Sequence, residues 1–234
     1  MNANERKNAL FQAIIKEYLN TAKPVGSEFI VEKCGIKCSP ATVRNYMVDL
    51  EKDGLIAQPH TSAGRIPTAK GYQYYLDNFF SKDILLNNKL SETVVKILKK
   101  EKDAELAVKN LGKGIAEIAQ EAVVVSLEEN SFYYTGISHL FQKPEFRDIN
   151  RIYNLSAIVD HFDEVMGNLH KKEILEPQIM LGDNNPFHTD CSLIMTHYKF
   201  AHGLNGVFGI LGPLRMDYNL NYSLIKYINN FNKI

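Results

Sequence analysis

The chain has 234 residues, 45% hydrophobic and 23% charged, with 27 basic and 27 acidic side chains that cancel. This is the balance of a folded globular protein and excludes disordered, collagen-like and low-complexity chains. Its longest uncharged apolar stretches, such as 205–214, fall well short of the ~20 residues of a bilayer span.

The first residues run straight into an amphipathic pattern, without the apolar core of a secretion signal. Three cysteines are too few, and odd in number, for a disulfide framework, so a cytoplasmic protein with reduced thiols is expected. Split along the chain, the neutral balance resolves. The first 120 residues carry four more basic than acidic side chains, and the remainder four fewer. That is a mild asymmetry, compatible with an anion-binding N-terminal half.

Leu10, Phe11, Ile14, Ile15, Tyr18 and Leu19 follow the spacing of an amphipathic helix over 5–20. Pro24 and Gly26 break it, and Ser27 is placed to cap a short second helix carrying Phe29, Ile30 and Val31 and stopping at Gly35. Ser39-Pro40 starts a third, a capping hydroxyl followed by proline at the first helical position. Its buried stripe is Val43, Met47 and Leu50, and Gly54 ends it. Two short strands, 55–58 and 66–68, flank the turn-rich 59–65, and a further helix runs from Ala69 to about Phe80. Helix, helix, turn, helix, hairpin is the order of a winged helix-turn-helix.

Residues 81–120 keep helical apolar spacing and read as a pair of connecting helices with a weak point at Gly112 and Gly114. Beyond 120 the pattern changes. Strands are expected at 122–127, 132–135, 178–181, 192–198 and 206–211, with helical stretches over 144–172 and a last helix from Tyr218 to about Phe231. Such an order predicts an α+β domain on a mostly antiparallel sheet. The expected domains are 1–80 for DNA binding, 81–120 as connecting helices, and 121–234 as the α+β domain.

On the third helix, the inward stripe leaves Ala41, Thr42, Arg44, Asn45 and Val48 on or beside the outer face. Ser39, Thr42 and Asn45 sit near the helix N-terminus, where amides and dipole favour a phosphate. Arg44 can take a guanine edge or a phosphate, and Asn45 can pair with adenine. The plainer reading has Ser39 only as a cap and Arg44 paired with Asp49 or Glu51. In the hairpin, His60, Thr61, Ser62, Gly64 and Arg65 form a loop that can grip a DNA backbone and place Arg65 in a minor groove.

Three blocks carry a resemblance: Lys23 to Ser27, Ser39 to Met47, and above all Pro59-His60-Thr61-Ser62-Ala63-Gly64-Arg65. Together with Ser131 to Leu140, Pro144-Glu145-Phe146, Asp190 to Leu193 and Gly209 to Tyr218, they resemble the heat-inducible transcription repressor HrcA family from end to end. The resemblance implies a winged-helix domain followed by a GAF-like domain over 121–234 for regulation and dimerisation. It also implies repression of heat-shock chaperone genes by a homodimer on an inverted-repeat operator in double-stranded DNA, kept active by chaperonin. In that family a long inserted dimerising segment follows the block matching 122–127. Here only Glu128, Glu129 and Asn130 separate that block from Ser131, so dimerisation through the insert is not carried over. Tyr133, Tyr134, Phe141 and Phe146 lie where it would join and are expected to be partly exposed.

Cys34 and Cys38 have no second ligand pair, and two thiols do not close a zinc site. His188, Cys191, His197 and His202, with Asp190 among them, read as sheet-edge residues before they read as metal ligands. No nucleophile elbow, phosphate-binding glycine loop or zinc-protease signature occurs, so neither an enzyme nor a cofactor is expected. Gly203, Gly206 and Gly209 suit turns and close packing. The competing reading is a winged-helix regulator whose GAF-like domain senses a small molecule, in a pocket lined by Phe132, Tyr134 and the 206–211 strand. A third is an interaction module with vestigial DNA binding.

Overall fold

The structure, a computed structural model, describes residues 2–33, 38–60, 63–147, 158–200 and 204–230. These fall into two compact units, Met1–Ser81 and Lys82–Ile234.

In the first unit, α1 (Ala3–Thr21) begins earlier than its apolar spacing predicts. Asn2 and Glu5 form a capping box, each side chain bonded to the other's backbone amide. The helix stops before Pro24, at Ala22, which takes a left-handed conformation with φ 54°. Helix α2 (Ser27–Lys33) starts with Gly26 in the cap position, its carbonyl accepting from the Ile30 amide. Ser27 therefore lies inside the first turn and does not cap it. The expected stop at Gly35 lies outside the described residues.

Helix α3 (Pro40–Lys52) is capped by Ser39, whose hydroxyl accepts from the Thr42 amide at 3.2 Å. It buries Val43, Met47 and Leu50. Its end is a Schellman closure around Gly54 at φ 72°: the Gly54 amide reaches the Glu51 carbonyl and the Leu55 amide that of Leu50. Strands β1 (Ile56–Ala57) and β2 (Ile66–Pro67) pair antiparallel, and α4 (Ala69–Asn78) follows, capped by Thr68. Leu10, Phe11, Ile14, Ile15, Ile30, Val43, Leu50, Ile56 and Tyr72 form the interior, each no more than 2% exposed.

The second unit opens with α5 (Asn88–Lys100) and α6 (Ala104–Ala119), which pack on one another. Gly112 and Gly114 both lie inside α6, and a Cβ on Gly114 would stand 2.4 Å from Ile97 Cδ1. Strands β3 (Ala122–Glu128) and β4 (Ser131–Thr135) form a hairpin, followed by a five-residue helix missed by the periodicity, α7 (Ile137–Phe141). A 3-10 turn at Pro144–Phe146 and α8 (Phe162–His170) occupy part of the expected helical stretch, and 148–157 lies outside the described residues. Then come β5 (Gln178–Leu181), β6 (Cys191–Lys199), β7 (Asn205–Pro213) and α9 (Tyr218–Asn230).

The five strands make one antiparallel sheet in the order β4-β3-β7-β6-β5. Both its faces are covered. Ala122, Val124, Leu193, Met195, Val207 and Leu211 meet Leu140, Phe146, Phe162, Met166 and Leu169 on one side. On the other, α6 lies over β3 and α9 over β6 and β7, tied by Asn229 Nδ2 to Thr196 Oγ1 at 2.7 Å and by Ser192 with Tyr218 at 2.8 Å. Double coverage is why β3, β6 and β7 are nearly continuous apolar runs, although antiparallel strands commonly alternate.

Strands β3 and β4 are joined by a two-residue turn, Glu129-Asn130, with neither residue at positive φ. A register shift between Ser126 and Glu128 absorbs the mismatch. Of the aromatics expected to be partly exposed, Tyr134 is 39% exposed, and Tyr133 and Phe141 are half-buried. Phe146 is buried, because the 3-10 turn drives it into the sheet-face core.

Candidate nucleic-acid interface

Three pieces of the first unit converge on one groove of about 590 Å³: the start of α2, the outer face of α3, and the hairpin. Val25, Gly26, Ser27 and the acidic Glu28 line one side, Arg44, Asn45, Met47 and Val48 the second, and Gln58, Ala63, Gly64 and Arg65 the third. The hairpin is anchored by a contact with no sequence signature, a one-residue bridge. The Val25 and Arg65 amides each donate to the other's carbonyl at 2.9 Å. Gly64 makes that approach possible, since a Cβ there would stand 2.5 Å from the Val25 carbonyl. The turn itself is closed by the Ala63 amide on the His60 carbonyl and by Gln58 Nε2 on the Ala63 carbonyl.

Helix α3 presents its residues as the stripe predicts. Ser39, Arg44 and Asn45 are exposed, and Thr42 is half-buried with its hydroxyl 3.0 Å from that of Ser39. Among the described residues, Arg44 has no ion-pair partner. The two carboxylates offered for it are engaged elsewhere, Asp49 with Lys52 and Glu51 with Arg65. Val48 stands beside it, 41% exposed, an apolar side chain on a face otherwise polar.

Arg65 lines the groove with its side chain already engaged. Its guanidinium turns inward onto Glu51, with Nε and Nη2 at 3.1 and 3.0 Å from Oε2 and the side chain 17% exposed. The physical reason is local: the last turn of α3 puts a carboxylate within reach of the wing root. His60 is exposed at the hairpin tip, and Thr61 and Ser62 lie outside the described residues.

In the second unit β7 is buried from Gly206 on, and a hollow of about 630 Å³ lies at its start, lined by Ile174, Leu175, His197, Tyr198, Asn205 and Asn229. Phe132 packs against the core and Tyr134 against Phe162, ring centroids 4.9 Å apart. Cys38 is half-buried and Cys191 fully so, its thiol pushed far up by burial; Cys34, His202 and Gly203 lie outside the described residues. Gly206 and Gly209 serve close packing, against the Ser126 carbonyl and the Leu193 and Val124 side chains. No described helix is long and apolar enough to cross a membrane.

The model of the HrcA protein C terminal domain matches residues 76–220. This chain belongs to the HrcA family. Two curated relatives, both named heat-inducible transcription repressor HrcA, align along nearly the whole chain. The protein of Thermoanaerobacter sp. (strain X514) is 27% identical, covering 100% of this chain and 96% of its own. That of Desulfitobacterium hafniense (strain DSM 10664 / DCB-2) is 25% identical, covering 97% and 96%. The first alignment runs over 338 positions against 234 residues here, so more than a hundred positions have no counterpart in this HrcA chain. A crystal structure described as that of a hypothetical protein shares the fold from end to end, with a TM-score of 0.71 at 17% identity, covering 100% of this chain and 99% of that one.

Proposed function

We propose that this HrcA-family chain represses heat-shock genes by seating the α3 face and the wing on duplex operator DNA. The observation that carries it is the groove in which Arg44 and Asn45, exposed and uncommitted to other described side chains, stand beside a wing pinned at Val25. Arg44 and Asn45 read base edges in the major groove. Ser39, Thr42, His60, Thr61, Ser62 and the Gly64 backbone hold phosphates and set the register. The names of the curated relatives support the regulated genes: heat-inducible transcription is what those repressors control.

An inverted-repeat operator presents two half-sites related by a two-fold axis, so the repressor acts as a homodimer, one α3 per half-site. Chaperonin, as the family resemblance implies, keeps it in its binding form, and the protein works in the cytoplasm. A footprint of the purified chain on the chaperone promoters of its own organism, with and without chaperonin, tests the whole reading. Protection of two symmetric half-sites is expected, and no protection at any such promoter would overturn it.

A further inference from the structure

We infer that Arg65 and Glu51 are a positioning pair that locks the wing to the recognition helix, and that Arg65 does not itself enter a DNA groove. The inference rests on the DNA-binding reading above. Arg65 sits at the wing root, where its backbone exchanges two hydrogen bonds with Val25. Its side chain leaves in the other direction, to the last turn of α3, and places Nε and Nη2 on a single Glu51 oxygen. One residue thus ties three segments together: the approach to α2, the end of α3 and the wing.

For the guanidinium to reach a phosphate, both bonds to Glu51 must break. The carboxylate, 36% exposed, would then stand alone beside a polyanion. Arg44 needs no such rearrangement, being exposed already. The two arginines of the groove therefore divide the work. Arg44 meets DNA, and Arg65 holds the wing at the spacing and angle at which α3 and the wing can be engaged together.

The two roles for Arg65 predict opposite signs for Glu51. If Arg65 contacts DNA, Glu51 competes for it and Glu51→Ala tightens binding. If the pair is a strut, the same substitution weakens it. The probe is duplex DNA recovered by the full-length chain from a randomised library, bound at several salt concentrations. Arg65→Ala and Glu51→Ala are each expected to weaken binding about tenfold, and the double variant no further, because both remove one interaction. The salt dependence stays as in the unmodified protein, since no lysine or arginine is taken from a phosphate. The exchange Glu51→Arg with Arg65→Glu restores most of the affinity.

A salt slope lower by about 0.9 in Arg65→Ala, tighter binding by Glu51→Ala, or a charge-exchanged protein weaker than Arg65→Ala would overturn the inference. Hydrogen exchange without DNA keeps the test open if the exchanged protein fails to fold. The Val25 and Arg65 amides should exchange faster in Arg65→Ala, and unchanged exchange refutes the strut. Should the unmodified chain recover no duplex, the DNA-binding reading is what fails, and amide exchange still decides whether the pair holds the wing.

Discussion

Arg44 owes its availability to its neighbours' commitments: Asp49 and Glu51 are paired elsewhere, which leaves Arg44 without an ion pair among the described residues. Arg44→Ala or Asn45→Ala is expected to cost about 1–3 kcal/mol of binding and to relax preference at one base position. Equal weakening on all sequences, in a binding-site selection, would make the residue a phosphate contact instead. A different residue governs the response to pH. Glu121 is 3% exposed, and burial pushes its carboxyl from an ordinary 4.5 up to about 7, against the pull of Lys143 2.7 Å away. The folded state therefore holds that proton more tightly than the unfolded chain. The stability this contributes is fully present below about pH 4.5 and is lost as pH rises through about 7. Glu121→Gln should flatten that slope, raising the melting temperature more at pH 8 than at pH 5. An equal shift at both pH values, by thermal melts, would contradict the assignment.

At the level of elements, what could be read in advance was whatever leaves a local mark. Ser39-Pro40 announces α3, and Ser39→Ala should destabilise the protein by about 1 kcal/mol in chemical denaturation, since the Thr42 amide loses its acceptor. The stripe of Val43, Met47 and Leu50 and the five strands were legible for the same reason, being patterns of period 3.6 or runs of β-branched residues. The wing's anchorage was not. The Val25–Arg65 bridge is one residue long on each side and 40 positions apart, and no periodicity encodes it. The Arg65–Glu51 pair was not legible either, since the partner lies 14 residues away on another element. Gly64 was legible as a turn former, but its use is proximity. Gly64→Ala would set a methyl 2.5 Å from the Val25 carbonyl carbon, and is expected to unpin the wing and weaken DNA binding while leaving the helical circular dichroism intact. Full binding by that variant would show that the bridge is dispensable.

For the whole molecule, a partner copy can be met, among the described residues of the second unit, at surfaces outside the faces of the sheet. Its two faces are occupied, so the edges β4 and β5 remain, together with α5, whose Leu90, Val95 and Leu98 are only half-buried. A homodimer is expected in sedimentation at micromolar concentration, and a monomer both free and on DNA would refute it. Operator binding should fail within a few degrees of heat-shock temperature and return with chaperonin, because domains of this size carry only about 5–15 kcal/mol of stability. Affinity held well above that temperature, with chaperonin making no difference, would remove the heat-sensing role. The turn at Glu129-Asn130 leaves β3 and β4 side by side at its tip. Paired strands bring the two chain ends at such a tip to within about 5.5 Å. A folded segment whose own termini are adjacent can be spliced in or excised there with the strand register on either side unchanged. The hairpin is in that sense a socket: filling or emptying it leaves the register of the sheet as it is.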